Sequence, residues 1–224
     1  MAYILNIETA TKNCSVSLAH NGETVSLKEI NDGGYSHAEK LHEFIKDVIK
    51  ESKIKITDLD AIAVSKGPGS YTGLRIGVSA AKGLCFALNI PLISINTLKS
   101  LANSVSISNG ITIPLLDARR MEVYSEVFKN NNSMRNILAE IIDETSFSEY
   151  LNEYKVYFLG DGAEKCKEII THKNANFIDN KFPSAKEMSL LSYEKYKIND
   201  IEDVAYFEPF YLKDFLVTKP KKII

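Results

Sequence analysis

The chain has 224 residues, 45% of them hydrophobic and 25% charged, with a formal net charge of −2. That is the balance of a globular chain long enough for one large domain or two modest lobes, and it excludes both a disordered polypeptide and a global basic field for gripping nucleic acid. No apolar run approaches the roughly 18 residues of a membrane span, the start Met1-Ala-Tyr-Ile-Leu-Asn-Ile7 lacks the basic residues of a signal peptide, and Cys14, Cys85 and Cys166 include no C-x-x-C pair, so a cytoplasmic chain without a zinc ribbon is expected.

Tyr3 to Ile7 reads as a first strand, Cys14 to His20 as a second and Glu23 to Ile30 as a third. Asn21-Gly22 reads as a two-residue hairpin turn, because a type I′ turn needs positive φ at both central positions. Asn31-Asp-Gly-Gly34 is a loop. Ser36, with Glu39 three residues on, forms a capping box for a helix whose apolar stripe is Leu41, Phe44, Ile45, Val48 and Ile49. His37 and His42 lie on that helix five apart, which splays them by about 140° and makes no i, i+4 metal pair. Both read as exposed helix histidines.

Ala61 to Ser65 is an apolar run of strand length, stopped by Gly67 and Pro68, and reads as a buried central strand. It leads through Lys66-Gly-Pro-Gly-Ser-Tyr-Thr-Gly-Leu-Arg-Ile-Gly77 into a helix with Leu74, Val78, Ala81, Cys85 and Leu88 along one face, ended by Asn89 and Pro91. Gly67, Gly69 and Gly73 let the backbone bend, Ser70 and Thr72 are candidate caps, and a helix N-terminus behind such a loop is a natural anion site. The spacing matches neither common phosphate loop. A Walker loop needs Gly-Lys-Ser/Thr where Gly73-Leu74-Arg75 stands, and a dinucleotide fingerprint needs its third glycine one residue earlier.

Gly73, Gly77 and Ala81 also repeat every four residues along one line, with Gly83 on an adjacent face. An interior glycine costs roughly 1 kcal/mol relative to alanine, so the row must admit something close, either an internal neighbour or a second subunit. Arg75 would meet an anion, a partner's carboxylate or only solvent. Cys85 reads as core. Ile90 to Ile95 is a further strand, and Thr97 to Ala102 begins a linking helix.

In the second half, Ile111 to Leu116, Met121 to Lys129 and Ile137 to Ile142 read as strands, with a turn at Asn130 to Ser133. Helix Ser146 to Glu153, strand Lys155 to Leu159, loop Gly160-Asp-Gly162, helix Ala163 to Thr171 and strand Ala175 to Ile178 follow. The order βββαβαβ thus occurs twice, over 1–103 and, in reduced form, over 104–224. A last helix from Ala185 to Tyr196 and the tail Pro209-Phe-Tyr-Leu-Lys213 are expected to pack back on the first lobe. Asp117 answers Glu8 at the end of each opening strand, and Gly160-Asp161-Gly162 answers the loop from Gly67 to Gly73. Both carboxylates and both glycine loops are therefore expected around one cleft. Asp117, Arg119, Arg120 and Glu122 sit in a tight hairpin and read as solvated or locally paired charges. Lys213, Lys219, Lys221 and Lys222 make only the tail basic, as a solvated end or a phosphate-backbone contact.

A duplicated βββαβαβ unit with a carboxylate after each first strand resembles the sugar kinase, Hsp70 and actin (ASKHA) superfamily, an α/β nucleotide-binding fold. Ile4-Leu-Asn-Ile-Glu-Thr-Ala-Thr11, the Lys66 to Gly77 stretch, Leu116-Asp-Ala-Arg-Arg-Met-Glu-Val-Tyr124, Gly160-Asp-Gly162 and Pro209-Phe-Tyr-Leu-Lys213 together resemble the TsaB (YeaZ) family over nearly the whole chain. The resemblance implies a non-catalytic subunit of the bacterial machinery that installs threonylcarbamoyladenosine beside the anticodon of tRNAs reading codons that begin with A. Its implied partners are the catalytic paralogue TsaD, the ATPase TsaE and, when alone, a second copy of itself. It would meet tRNA only through the complex and no membrane, and it would need no cofactor of its own, ATP and a metal ion serving the assembled complex.

In that family TsaD carries a metal-binding H-x-x-x-H on the helix after the glycine motif. The corresponding stretch here, Ile95-Asn-Thr-Leu-Lys-Ser-Leu-Ala-Asn103, has no histidine, so no metal ligands are expected. The superfamily's first phosphate loop has Asp followed two residues later by Gly. Here Glu8 and Ala10 stand in those places, and a longer carboxylate and an added Cβ hinder the approach of Mg²⁺ and phosphate. A vestigial nucleotide or anion site is expected at Glu8, Thr9, Gly69, Ser70, Thr72, Asp117, Gly160 and Gly162, with no catalytic residue. The first lobe's two helices, about Ser36 to Ser52 and Thr72 to Asn89, are implied to form the partner seam through His37, Leu41, Ile45, Gly73, Arg75, Gly77 and Ala81.

Two other readings compete. An ATPase or small-molecule kinase of the same fold is opposed by the altered phosphate loop. A glycoprotein endopeptidase using Ser70 is opposed by Gly-Pro-Gly-Ser-Tyr-Thr-Gly, which is not G-x-S-x-G and offers no assignable base.

Overall fold

Alternation of large apolar and small polar residues fixes the first sheet. Strands β1 (Tyr3–Glu8), β2 (Cys14–His20), β3 (Glu23–Ile30), β4 (Ala61–Gly67) and β5 (Leu92–Asn96) lie in the order β3-β2-β1-β4-β5, with β1, β2 and β3 antiparallel and β1, β4 and β5 parallel. Leu5, Ile7, Val16, Leu18, Ile62 and Val64 point to one face, where Leu41, Ile45 and Val48 of α1 (His37–Glu51) and Val78, Ala81 and Cys85 of α2 (Tyr71–Leu88) cover them. Each such side chain removed from water contributes about 1.5–3 kcal/mol. The structure, a computed structural model, describes residues 1–31 and 37–213. Asp32 to Gly34 of the expected loop, the Ser36 cap and the tail lysines Lys219, Lys221 and Lys222 lie outside them.

The opposite face of this sheet carries Ile4, Ala61, Ala63, Ile93 and Ile95, packed against Ala185 and Met188 of the last helix, α5 (Ala185–Lys197). Where β2 lies under α5, serines replace hydrocarbons. The Ser15 hydroxyl accepts from the Ala185 N–H at 3.0 Å, Ser17 donates to the Ala185 carbonyl at 2.7 Å, and Asn13 donates to the Pro183 carbonyl at 2.9 Å. The hydroxyl of Ser184 caps α5 at Lys186 and donates to Glu29 at 2.8 Å. These buried groups are matched to one another, as the cost of leaving them unpaired requires.

The second sheet repeats the first. Strands β6 (Ile111–Asp117), β7 (Glu122–Lys129), β8 (Asn132–Ile141), β9 (Val156–Leu159) and β10 (Ala175–Ile178) lie in the order β8-β7-β6-β9-β10, which is the same path as in the first lobe. The α/β architecture is thus two βββαβαβ units, and the second is reduced: its helices shrink to α4 (Ser148–Leu151) and a 3₁₀ turn at Glu164–Cys166. The linking helix α3 (Thr97–Ala102) sits between the two sheets, with Leu98 and Leu101 against Leu116 and Leu159. Among the described residues no helix is long and apolar enough to cross a membrane.

Two expected elements differ. The helix over Ala163 to Thr171 is instead a series of tight turns, closed by Cys166 N to Ala163 O (3.0 Å), Lys167 N to Glu164 O (3.2 Å) and Ile169 N to Cys166 O (3.1 Å). Ala163, Cys166 and Ile170 are buried all the same, because a spacing of three or four serves such turns as well as a helix. Strand β8 begins five residues earlier than the sequence suggests. Asn130 (φ 50°) and Asn131 (φ 60°) both adopt positive φ, so the chain reverses in two residues as it does at Asn21-Gly22.

The glycine row of α2 is filled from inside the same chain. A Cβ at Gly73 would stand 2.1 Å from the Thr9 carbonyl oxygen, and one at Gly77 would stand 2.2 Å from the Thr9 hydroxyl. The hydroxyl of Thr9 donates to the Gly73 carbonyl at 2.8 Å. Of the two neighbours left open by the sequence, the internal one is present, and a second subunit against Gly73, Gly77 and Ala81 is excluded by occupancy. By contrast nothing lies within 4 Å of a Cβ at Gly83. Gly73→Ala should therefore cost about 3 kcal/mol through overpacking against backbone, whereas Gly83→Ala should gain up to about 1 kcal/mol from helix propensity. Chemical denaturation of the two variants beside the parent checks this, and equal midpoints would contradict the packing described.

Candidate functional site

The lobes meet at a cleft of about 330 Å³. Its first wall is the turn after β1, at Ala10, Thr11 and Lys12, together with the loop Pro68 to Thr72 that opens α2. Its second wall is Asp117, Arg119 and Asp161, and the tail from Phe210 to Lys213 closes one side. The Ser70 hydroxyl caps α2 by accepting from the Gly73 N–H at 3.3 Å, and the Ser70 N–H donates to the Ala10 carbonyl at 2.6 Å. Gly69 is required there, since a Cβ would stand 2.4 Å from that same carbonyl oxygen. The first turn of α2 thus faces the cleft, and its positive dipole end, with Lys12, Arg119 and Lys213 in the walls, suits an anion.

Glu8 does not face the cleft. It ends β1 fully buried, with Oε1 accepting from the Ala10 N–H at 2.6 Å and from the Ser65 hydroxyl at 2.8 Å. Burial pushes its carboxyl up to about 7, against the lowering effect of the Ala10 and Ser65 hydrogen bonds. A metal-bound phosphate does not fit these residues: the carboxyl at the expected position is turned inward, with Oε1 on the Ala10 N–H and on Ser65 of β4 and Oε2 buried. Among the described residues no three His, Cys, Asp or Glu side chains come together as a metal-ligand set.

The other expected site residues divide. Gly69, Ser70, Thr72 and Asp117 line the cleft, while Thr9 is buried against α2. Gly160 and Gly162 pack on the end of β6, with Cβ positions 2.2 Å from the Leu115 carbonyl oxygen and 2.9 Å from the Leu116 carbonyl carbon, and leave Asp161 between them as the loop's cleft residue. Asp117 accepts from the Arg119 N–H of its own hairpin at 2.9 Å, but its ion pair is with Lys165, 48 residues on. Lys165 also donates to the carbonyls of Arg120 and Glu122, each at 2.7 Å. Burial raises the Asp161 carboxyl above its ordinary value.

The seam residues need correction. Leu41, Ile45, Gly73, Gly77 and Ala81 are buried within the chain, and His37 is buried at the start of α1 rather than exposed. Only Arg75 is on the surface, over the Tyr71 ring at 4.1 Å and donating to the Tyr211 hydroxyl at 3.3 Å. The exposed line of α2 is the next one round, at Arg75, Ser79, Gly83 and Ala87, beside Phe86, which is 85% exposed. The stripe of larger residues that faces the sheet marks the line opposite it, so the sequence held the signal.

Other cleft residues had little signal. Lys12, Tyr211 and Asp161 arrive there through the hairpin, the tail and the second glycine loop. The tail is anchored stepwise, with the Glu202 N–H on the Leu92 carbonyl at 2.8 Å, Lys82 on the carbonyls of Ala205 and Phe207, the Phe210 N–H on the Lys66 carbonyl at 2.7 Å, and Lys213 paired with Glu122 of the second lobe. Among the described residues no histidine lines the cleft, so Ser70 has no Ser–His pair there. The thiols of Cys14, Cys85 and Cys166 are buried and pushed up to about 11, 12 and 11 by that burial, which keeps them protonated.

Residues 33–221 match the family TsaD, tRNA N6-adenosine threonylcarbamoyltransferase. The chain is 28% identical to the tRNA threonylcarbamoyladenosine biosynthesis protein TsaB of Escherichia coli strain K12, over 96% of each chain. It is 29% identical to the protein of the same description from Bacillus subtilis strain 168, over 94% of this chain and 93% of that one. A crystal structure of a protein described as similar to peptidase YEAZ, from Pseudomonas aeruginosa, superposes with a TM-score of 0.82 at 23% identity, over 95% of this chain and all of that one, and so shares the fold.

Glu8 also sets a pH dependence. Its folded-state value near 7 lies above the ordinary 4.5, so between those two values the unfolded chain has released a proton that the folded chain keeps. Stability is complete below about pH 4.5 and falls as pH rises towards 7, by about 3 kcal/mol in all. Glu8→Gln should remove this loss, so its advantage in urea midpoint should grow from pH 5 to pH 8. An advantage independent of pH would mean that the carboxyl titrates normally.

Proposed function

The chain belongs to the TsaD family of tRNA N6-adenosine threonylcarbamoyltransferase, in its TsaB (YeaZ) branch, and we propose that it serves tRNA threonylcarbamoyladenosine biosynthesis as a non-catalytic subunit that binds and positions TsaD. The observation that carries this reading is Glu8. The carboxyl at the position where a nucleotide-hydrolysing relative would hold a metal and phosphate is buried, protonated near neutrality and bonded to Ala10 and Ser65. A subunit with that group sealed contributes surface rather than chemistry.

The surface is the outer line of α2. Arg75, Ser79, Gly83 and Ala87 repeat every four residues and are exposed, with Phe86 projecting beside them. Small side chains on one line let a partner helix approach, and an exposed aromatic supplies an anchor. A TsaD helix takes this face in the complex, a second copy takes it when the chain is alone, and TsaE joins as a third subunit in the cytoplasm. The cleft, with the start of α2 on one wall, is where the ATPase reading of the same fold finds its support; nucleotide titration followed by assay for released ADP separates a bound anion from a hydrolysed one.

The deciding experiment is mass spectrometry of tRNA nucleosides after incubation with TsaD, TsaE, the carbamoyl-adenylate synthase, ATP, threonine and bicarbonate, with and without this chain. Modified adenosine should form only when the chain is present, and Glu8→Gln should leave the yield unchanged. Equal yield without the chain removes the accessory reading. Gly83→Leu should fold, since nothing lies within 4 Å of its Cβ position, yet weaken TsaD binding at least tenfold; unchanged affinity in the folded variant would exclude this face as the seam.

A further inference from the structure

We propose that a second cavity, of about 500 Å³ at the carboxyl ends of β4 and β5, binds the phosphate of a nucleotide unit. It shares no lining residue with the interlobe cleft, and the proposal does not rest on TsaD binding. Its walls are Lys66 from the end of β4, Ile95 and Asn96 from the end of β5, Lys99 from α3, and the last turn of α5. Carboxyl ends of parallel strands are where open α/β sheets present ligands, and the volume is that of a small-molecule site.

The charge is what points to an anion. Lys66, Lys99, Lys195 and Lys197 surround this space, against the single carboxylate of Glu194, in a chain whose overall charge is −2. Lys195 is held as a wall by Asp200 at 3.1 Å and the Ser94 carbonyl at 3.1 Å. The other three form no ion pair among the described residues: Lys99 reaches only the Asn131 carbonyl at 3.3 Å, and Lys197 lies over the Tyr193 ring at 5.1 Å. Glu194 lines the hollow, and Glu126 and Glu202 accept from its wall residues Asn96 and Ser94, but Lys66, Lys99 and Lys197 are paired with none of them, and unpaired ammonium groups round one hollow repel one another until a phosphate binds. Leu191 and Ile198 give the same cavity an apolar wall, and Ile198 is 74% exposed. A bare inorganic anion leaves that wall wet, while a nucleotide covers it with its base or ribose. The phosphate comes either from a free mononucleotide or from an RNA strand, which present the same chemistry.

The test uses the full chain alone, with AMP followed by calorimetry and a labelled single-stranded RNA oligonucleotide followed by fluorescence anisotropy from 50 to 200 mM salt. The wild type should bind at least one probe, and the triple variant Lys66→Glu, Lys99→Glu, Lys197→Glu should bind it at least tenfold more weakly. For RNA, the slope of log affinity against log salt should become shallower by about 0.7, the change expected when one phosphate is no longer neutralised. Lys173→Glu, at an exposed lysine that lines neither cavity, should bind as the wild type does. If charge reversal impairs folding, the corresponding three Lys→Gln changes give the same comparison. Loss confined to RNA identifies a strand as the source, and loss of AMP binding identifies the free nucleotide. Binding of neither probe to the wild type, or undiminished binding to the folded triple variant, overturns the proposal and leaves the TsaD-binding reading untouched.

Discussion

The turn after β1 lies directly on the first turns of α2, backbone against backbone. The carbonyl oxygens of Thr9 and Ala10 occupy the places where Cβ atoms of residues 73 and 69 would be, and the Thr9 hydroxyl occupies that of residue 77. Two hydrogen bonds, from Ser70 N–H to the Ala10 carbonyl and from the Thr9 hydroxyl to the Gly73 carbonyl, fix the contact. This approach sets how far β1 runs, where α2 starts and which way Glu8 points. With the turn pulled onto the helix, the Glu8 carboxyl closes back on the Ala10 N–H and Ser65 instead of opening into the cleft. The glycines at 69, 73 and 77 here admit the chain's own turn, so the seating of α2 and the inward direction of Glu8 follow from one contact.

The two lobes share a topology but not a structural load. The first sheet is covered on both faces, by α1 and α2 on one side and α5 on the other. The second lobe has a single turn of α-helix and a run of 3₁₀ turns over one face, and it turns the other towards α3. The last helix, α5, therefore completes the first sheet, with Ser15 on Ser184 and the Ala185 N–H and Ser17 on the Ala185 carbonyl. The tail then runs along α2 and, at Lys213, pairs with Glu122, tying the first lobe to the second across the mouth of the cleft. The far lobe is thus reduced, and the tail edges the cleft between the two.

Residue patterns carried much of this. The turn at Asn21-Gly22, the stripe of α1, the central strand β4, the full length of α2 to Asn89, and the doubled βββαβαβ order were legible because period-2 and period-3.6 hydrophobicity and αL-tolerant residues act locally. Asn130-Asn131 follows the same rule, but Asn132 and Ser133 are turn residues too, so the sequence hides the first residues of β8. The run from Ala163 to Thr171 reads as a helix, yet its apolar spacing suits tight turns equally well, and periodicity does not separate the two.

What the sequence determined by itself was therefore the set of elements, their order, the duplication and the departures at Glu8 and Ala10 from an active phosphate loop, all of them properties of neighbours in the chain. What only the tertiary structure decided was which face of each element meets what. The small-residue row at Gly73 and Gly77 could be filled by a helix from another subunit or by a turn some 65 residues upstream, and periodicity does not distinguish them, since both need only a missing Cβ. The inward turn of Glu8, the placing of Gly83 and Phe86 on the outside, and the gathering of Lys66, Lys99 and Lys197 around one cavity depend on contacts between residues far apart in sequence. Packing, unlike periodicity, is a property of pairs, and the pairs exist only once the chain has closed.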